Sequence, residues 1–255
     1  MCQKEENVMK LQCFSIKREY EISCKLFTPD TQTVNNVIIG VHGFAGDKDS
    51  SMLKKLAMDI CQKNAALICF DFPAHGDSCV GEEMLTIENC KNDLLAVIDY
   101  VVCKYPDTKK SIFATSFGGF ITLLSADKLT NFTLVLRAPA VTMQKLLLDN
   151  VLKISAEDFK RENVVECGFE RPIKLPYSFY EELLQQENLF NKQFILPILI
   201  IHGNRDDIVL LDDVAAFVKL QKNTRLEIIQ GADHRFKNTG ELEKIVDLTT
   251  RFIGI

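Results

Sequence analysis

The feature that most constrains this chain is the run Ser111-Ile112-Phe113-Ala114-Thr115-Ser116-Phe117-Gly118-Gly119-Phe120. An apolar, β-like stretch stops at a serine, and two glycines open what reads as a helix. A strand that turns this sharply into a helix leaves the residue at the bend exposed, and the strain of the turn demands small neighbours. Gly118 meets that demand two residues after Ser116. Two residues before it, the small residue is Ala114 instead of the usual glycine. The pattern is that of a nucleophile elbow. A plain βα turn accounts for the same residues, with Ser116 as N-cap bonding the N–H groups of the first helical turn. The rest of the chain has to decide between the two.

On either side of this bend the chain reads as alternating strands and helices. Residues 12–26 alternate with period two around Arg18-Glu19, which predicts an antiparallel hairpin at a sheet edge. The runs at 37–41 and 66–70 are continuously apolar, as expected of strands buried on both faces. Between them, residues 51–64 place Met52, Leu53, Leu56, Ala57, Ile60 and Cys61 on one helical face. Residues 86–105 predict a long amphipathic helix capped by Thr86, with Glu83 and Glu88 near its positive end and Pro106 as its stop. Strands at 132–136, 198–201 and 225–229 and helices at 212–221 and 241–253 complete the alternation. The expected fold class is α/β, a mostly parallel sheet with helices on both faces. From 140 to 193 the alternation lapses. Helical pieces at 144–153 and 179–186 lie among Pro172 and Pro176, and the stretch is rich in aromatics: Phe159, Phe169, Tyr177, Phe179, Tyr180, Phe190 and, just after it, Phe194. Compact domains seldom hold a structureless loop of that length, so residues 140–193 are expected to form a small cap inserted into a core made of 1–139 and 194–255.

Composition narrows the partners. Hydrophobic residues make up 47% of the chain, charged residues 25%, and the net charge is −5. These values fit a globular chain with a sizeable core and provide no clustered Lys and Arg for a phosphate backbone. The pairs Lys54-Lys55 and Lys109-Lys110 read as solvated surface. No apolar run reaches the ~20 residues that span a bilayer, and residues 1–6 lack the apolar region of a signal peptide. Neither nucleic acid nor membrane is an expected partner. The nine cysteines are scattered, form no C-x-x-C and lie mostly within apolar patterns, which reads as reduced thiols in a cytoplasmic protein. No His/Cys/Asp/Glu cluster has metal-ligand spacing. Gly40, Gly43 and Gly46 precede a helix and Asp71 ends the next strand, which invites a dinucleotide-binding reading. That fingerprint needs G-x-G at its tight turn, and the spacing here is G-x-x-G-x-x-G. No cofactor is expected.

In a sheet of this kind ligands bind beyond the carboxyl ends of the strands, and the candidate polar groups all fall there. Ser116 follows one strand, Asp206 another and His234 the last. Of the four histidines, His42 and His202 stand in strand-end His-Gly pairs and are expected to fix turns. His75, in His75-Gly76-Asp77-Ser78, is expected to tie a loop down by hydrogen bonds. His234 is the expected general base. For the acid, Asp206, Asp207 and Asp233 are all near enough in sequence. Asp233 adjoins His234, and consecutive side chains in an extended loop point apart. Asp207 comes one residue late and suits a helix cap near Asp212. Asp206 is therefore the first choice and Asp207 the reserve. The order serine, acid, histidine is that of an α/β-hydrolase triad.

Five stretches carry a resemblance. Val41-His42-Gly43-Phe44 looks like an oxyanion loop and DFPAHGDS, from Asp71 to Ser78, like a second loop. ATSFGG, from Ala114 to Gly119, is similar to an elbow usually written G-x-S-x-G-G. His202-Gly203-Asn204-Arg205-Asp206 looks like an H-G-x-x-D acid loop, and Gly231-Ala232-Asp233-His234 like a G-A-x-H loop. In this order, over nearly the whole chain outside the cap, they resemble the α/β-hydrolase superfamily, and within it the cinnamoyl and feruloyl esterases and related small carboxylesterases of bacteria. The resemblance implies a serine esterase acting on a small-molecule ester, hydroxycinnamoyl or short-chain acyl, through an acyl-enzyme and without a cofactor. It implies Ser116, Asp206 and His234 as the catalytic residues, with the backbone N–H groups of Phe44 and Phe117 as the oxyanion hole. Ala114 and the cap depart from the family pattern. An aromatic cap favours an apolar or aromatic acyl group, unless its rings form a small core of their own. Thioesterase and peptidase chemistry stand as alternatives, as does a non-catalytic binding protein on a hydrolase fold. A homodimer is left open.

Overall fold

A computed structural model describes residues 9–31, 33–168 and 171–255. The readings made for the N-terminal residues 1–8, Cys2 among them, and for Phe169 lie outside the described residues.

The chain opens with an antiparallel hairpin, β1 (Met9–Lys17) and β2 (Glu21–Pro29). β3 (Asn36–Val41) is buried along its whole length, and so, after helix α1 (Ser51–Cys61), is β4 (Ala65–Phe70). Helix α2 (Ile87–Lys104) begins after Thr86, whose hydroxyl accepts from the Asn89 N–H at 3.0 Å. β5 (Lys109–Thr115), α3 (Phe117–Leu124) and β6 (Phe132–Arg137) follow. Residues 140–193 supply α4 (Met143–Leu146), a π-helical turn (Leu147–Leu152) and α5 (Ala156–Glu162). They then add the antiparallel pair β7 (Val164–Cys167) and β8 (Ile173–Pro176), and α6 (Tyr177–Leu184). β9 (Ile198–Gly203), α7 (Leu211–Lys219), β10 (Thr224–Ile229) and α8 (Glu241–Ile253) complete the chain.

One eight-stranded sheet runs in the order β1-β2-β4-β3-β5-β6-β9-β10. The strands from β4 to β10 are mutually parallel, and β2 pairs antiparallel with β4, so the hairpin forms one edge. Helices α2, α3 and α7 cover one face through residues such as Leu94, Val97, Phe120 and Phe217. Helices α1 and α8 cover the other through Leu56, Ile60, Ile245 and Val246. From β3 the chain moves to β4 on one side and returns to β5 on the other. The carboxyl ends of β3 and β5 therefore flank a topological switch point, where an open sheet of this kind leaves a crevice. His42 to Gly46 leaves β3 there, and Ser116 leaves β5. Among the described residues no helix is long and apolar enough to cross a membrane.

The structure corrects details of the expected elements. Helix α1 ends at Cys61, short of residue 64, because the chain must reverse into β4 and Asn64 does so at a φ of 56°. The helical piece expected at 144–153 divides into α4 and the π-turn, and Lys153 ends it in the left-handed region. Helix α6 starts at Tyr177, directly after Pro176, and stops at Leu184. Helix α5 and the β7–β8 pair were not expected at all.

Candidate active site

β5 ends at Thr115 and α3 begins at Phe117, so Ser116 alone makes the turn. It does so at φ 49° and ψ −112°, a conformation that costs a residue with a side chain on the order of 1–3 kcal/mol. Backbone bonds hold it there: the Ser116 N–H donates to the Arg137 carbonyl at 2.9 Å, and the Ser116 carbonyl accepts from the Ala140 N–H at 3.1 Å. The crossing of the β3 loop explains the glycine that follows, since a Cβ on Gly118 would lie 2.3 Å from the carbonyl oxygen of His42. Ala114 is fully buried within β5, so its methyl group packs into the core. The Ser116 side chain makes no capping bond to α3, which removes the N-cap reading.

The hydroxyl instead faces an imidazole. Ser116 Oγ lies 3.1 Å from Nε2 of His234, and Nδ1 of His234 lies 2.7 Å from Oδ2 of Asp206. A carboxylate partner requires Nδ1 to carry the hydrogen, which leaves Nε2 as the acceptor toward serine. Oδ1 of Asp206 accepts from the Ile208 and Val209 N–H groups at 3.0 and 2.8 Å. The carboxylate, buried at 6% exposure, is thus held from both oxygens. Asp233 turns its Oδ1 onto the N–H groups of Arg235 and Phe236. Asp207 is exposed, and the helix cap read for it is not formed: α7 starts without a side-chain cap bond.

The other histidines are tied into loops. Nε2 of His42 accepts from the Phe72 N–H at 3.1 Å, with Nδ1 on the Gly43 carbonyl at 2.7 Å. Nε2 of His75 accepts from the Ala45 N–H at 3.0 Å, with Nδ1 on the Pro73 carbonyl at 2.8 Å. Both rings are spent as neutral imidazoles, and burial pushes His42 down to about 4 and His75 to about 3. His202 donates from Nε2 to the Val209 carbonyl at 2.9 Å, beneath Asp206. Sequence reasoning missed Lys48. Its side chain is 2% exposed, and its ammonium lies 2.6 Å from both Asp71 and Asp77. The Asp71 carboxylate also accepts from the Lys48 and Asp77 N–H groups at 2.7 and 2.8 Å. These bonds clamp the loop after β3 to the loop after β4, and they occupy the acid that the dinucleotide reading would have placed on a ribose. A lone lysine in a polar loop carries no sequence signal of such burial.

The β3 loop presses on the elbow. A Cβ on Gly43 would lie 3.3 Å from the Cβ of Ser116. The N–H of Phe117 opens α3, where a helix offers its own donors no acceptor. Phe44 and Phe117, whose rings meet edge to face at 5.7 Å, both line a cavity of about 690 Å³ that also contains Ser116 and His234. Beside these rings, residues 140–193 give it an aliphatic wall of Met143, Leu146, Leu147, Val151 and Leu152. None of the described aromatics of residues 140–193 lines the cavity, in keeping with the alternative that these rings form a small core of their own. Phe159, Tyr177 and Tyr180 pack on one another with centroids 5.3 to 6.2 Å apart. Phe190 and Phe194 pack on Phe217 of α7. Phe179 reaches Phe44 and Phe117 at 6.3 and 6.1 Å and backs the rings from behind.

The sequence model of the serine aminopeptidase S33 family matches residues 32–165, from the approach to β3 through the elbow and into β7. No curated protein sequence matches the chain. Among solved structures, Est1E from Butyrivibrio proteoclasticus with ferulic acid bound is 23% identical, with a TM-score of 0.77 over 95% of this chain and 100% of that one. The esterase PF2001 from Pyrococcus furiosus is 17% identical, with a TM-score of 0.72 over 96% of this chain and 91% of that one. Mouse alpha/beta hydrolase domain-containing protein 10 is 16% identical, with a TM-score of 0.71 over 96% and 98%. These likenesses extend over nearly the whole sheet and both helical layers. With more than half its length matched, the chain belongs to the serine aminopeptidase S33 family, and its fold is that of the α/β hydrolases.

Proposed function

We propose that the protein is a serine hydrolase that cleaves carboxylic esters through an acyl-enzyme, with Ser116, His234 and Asp206 as its catalytic residues. The observation that carries this reading is the unbroken relay from hydroxyl to imidazole to carboxylate at the edge of the cavity. Ser116 Oγ attacks the ester carbonyl while Nε2 of His234 takes its proton. His234 returns that proton to the leaving alcohol, and Asp206 holds the ring and stabilises its positive form. The oxyanion is met by the backbone N–H groups of Phe117 and Phe44. Losing one donor of this kind costs on the order of 10² to 10³ in turnover. Side-chain changes at Phe44 and Phe117 alter fit more than chemistry, because the donors are backbone groups. Water then attacks the acyl-enzyme with His234 as its base.

Residues 140–193 act as a cap over this site, and its aliphatic wall favours an apolar acyl group. The ferulic acid named with Est1E places hydroxycinnamoyl esters beside short-chain acyl esters in the substrate panel. The family description supports a second reading, aminopeptidase activity, so an aminoacyl p-nitroanilide belongs in the same panel. The test is Ser116→Ala assayed on p-nitrophenyl acetate and butyrate. Turnover is expected to fall by on the order of 10⁴ to 10⁶, and unchanged turnover rules the assignment out. A fluorophosphonate probe is expected to label the wild type at Ser116, whereas a binding protein with an unactivated serine leaves it unreacted.

A further inference from the structure

The cavity has a second wall unlike the aliphatic one. It forms where the ends of β5 and β6, the start of α1 and the loop after β10 meet, and Ser50, Thr115, Arg137 and Lys237 line it. Arg137 is the last residue of β6. Alternation along that strand puts it on the same face as Val135, beneath α1 and α8, and its guanidinium carbon lies 5.3 Å from the centroid of the Phe236 ring. Its backbone carbonyl holds the N–H of Ser116, so the side chain starts one hydrogen bond away from the nucleophile.

The charge at its tip is poorly answered. Nε is buried with no hydrogen-bond partner. Asp206 and Asp233 act on the guanidinium only through their charge, and no carboxylate among the described residues hydrogen-bonds to it. Asp206 is committed to His234, Ile208 and Val209, and Oδ1 of Asp233 to two backbone N–H groups. Burial pushes Arg137 down to about 10, so it stays charged at neutral pH. A cationic fork whose Nε is buried without a partner and that has no acid to pair with is costly unless something answers it. It lines a cavity beside the reacting hydroxyl, and a planar carboxylate matches its geometry.

We propose that Arg137 is a specificity-determining residue that receives a carboxylate carried by the substrate, while the aliphatic wall receives the substrate's apolar half. The proposal rests on the hydrolase reading for its kinetic test and stands apart from it for its binding test. Two matched pairs of esters place the charge on either side of the scissile bond. On the alcohol side the pair is butyryloxyacetate and its neutral amide, butyryloxyacetamide. On the acyl side it is monoethyl succinate and ethyl succinamate. In one of the pairs kcat/KM is expected to favour the carboxylate by about tenfold or more. Arg137→Met is expected to lower kcat/KM for that carboxylate by about tenfold to a hundredfold, the size of a lost hydrogen bond between charged groups. The matching amide should change less than about twofold, and Arg137→Lys should keep part of the preference. Turnover of both pairs with no carboxylate preference in either overturns the proposal. So does an equal fall for both members of a pair, since Arg137 would then act through Asp206 and His234.

Calorimetry on Ser116→Ala needs no turnover. The preferred carboxylate should bind tighter than its amide, and adding Arg137→Met should erase the difference; equal binding in Ser116→Ala overturns the proposal. If the wild type hydrolyses neither these esters nor p-nitrophenyl acetate and butyrate, yet binding discriminates, the hydrolase reading fails and Arg137 keeps its role.

Discussion

Around Ser116 the loops are fastened by buried, directional polar bonds, whereas residues 140–193 join the core mostly through apolar contacts. Lys48, Asp71, His42, His75 and Asp206 are all buried, and their bonds run between loops far apart in sequence. The covering segment joins the same core through Phe159, Ile173, Leu175, Phe179 and Leu183. Two of its polar ties reach the site loops, the Ala140 N–H to the Ser116 carbonyl at 3.1 Å and Asn150 Nδ2 to the Ile208 carbonyl at 2.6 Å; others are peripheral, with Glu182 accepting from the first N–H groups of α2 and Arg171 donating to the Gly76 carbonyl at 2.8 Å. If Ser116 and His234 react as proposed, they must be placed to a fraction of an ångström, and satisfied buried polar networks give that rigidity. On the proposed reading, a wall that only has to exclude water and fit an acyl chain can be built from non-directional contacts.

The sharpest break of this contrast is Lys48→Met. It leaves the fully buried carboxylate of Asp71 without its counter-charge, and removing one partner of a buried ion pair costs about 3–5 kcal/mol. Denaturant unfolding should show that loss, with esterase activity falling alongside because the β3 loop carries Phe44. Asp77, whose side chain is 74% exposed, is the control, and Asp77→Asn should cost about 1 kcal/mol or less. A Lys48→Met protein as stable as the wild type would mean that the clamp does not hold the loops.

A graded effect comes from the buried histidines. The Nε2 atoms of His42 and His75 each face a backbone N–H, so neither ring can take a second proton without breaking that bond. Both titrate well below the ordinary histidine value, at about 4 and about 3. As pH falls below about 6.5, the unfolded chain binds these protons and the folded one does not, so stability is lost with falling pH. Each ring adds at most about 1.4 kcal/mol per pH unit to that slope, down to its folded value. Unfolding free energies at pH 7, 6 and 5 should show the decline, and the ring signals of both histidines in NMR spectra should stay constant over that range. Signals that titrate near pH 6.5 would contradict the neutral, bonded rings.

The same contrast explains what could be read from the sequence. The strands were legible because burial on both faces writes a continuous apolar run, as in β3 and β4. Helix α8 was legible to its ends because its apolar residues repeat on one face. The meeting of Ser116, Asp206 and His234 could be foreseen because each follows a parallel strand and all parallel strands end at one edge. Lys48 and Arg137 could not, since a single charged residue reads as solvated and only the fold brings it under cover. In the segment 140–193 local pattern fails for another reason. Helix α5 buries only Phe159, and β7 and β8, with four residues each, are too short for alternation to register. The aromatic content of that segment was plain, but sequence says nothing about which way a ring points, and these rings pack among themselves and against the core.

The smallest effect expected tests whether the two regions are separable. The carboxylate of Glu182, on α6, accepts from the N–H groups of Ile87 and Glu88 at 2.8 Å each. It closes the positive end of α2 and seats the covering segment on the core. Thr86 still caps α2 when Glu182 is removed, so Glu182→Ala should cost about 0.5–2 kcal/mol, the worth of one helix-end partner. The elbow and its relay share no bond with Glu182. Turnover of p-nitrophenyl acetate, which needs little of the aliphatic wall, should therefore be preserved. A longer acyl ester, which must fill the space beside Leu147 and Leu152, should show a raised KM at nearly constant kcat, the mark of weakened binding common to ground and transition states. A fall in kcat on acetate matching the rise in KM on the long ester would instead mean that seating of the cover and placement of the nucleophile are one mechanical unit.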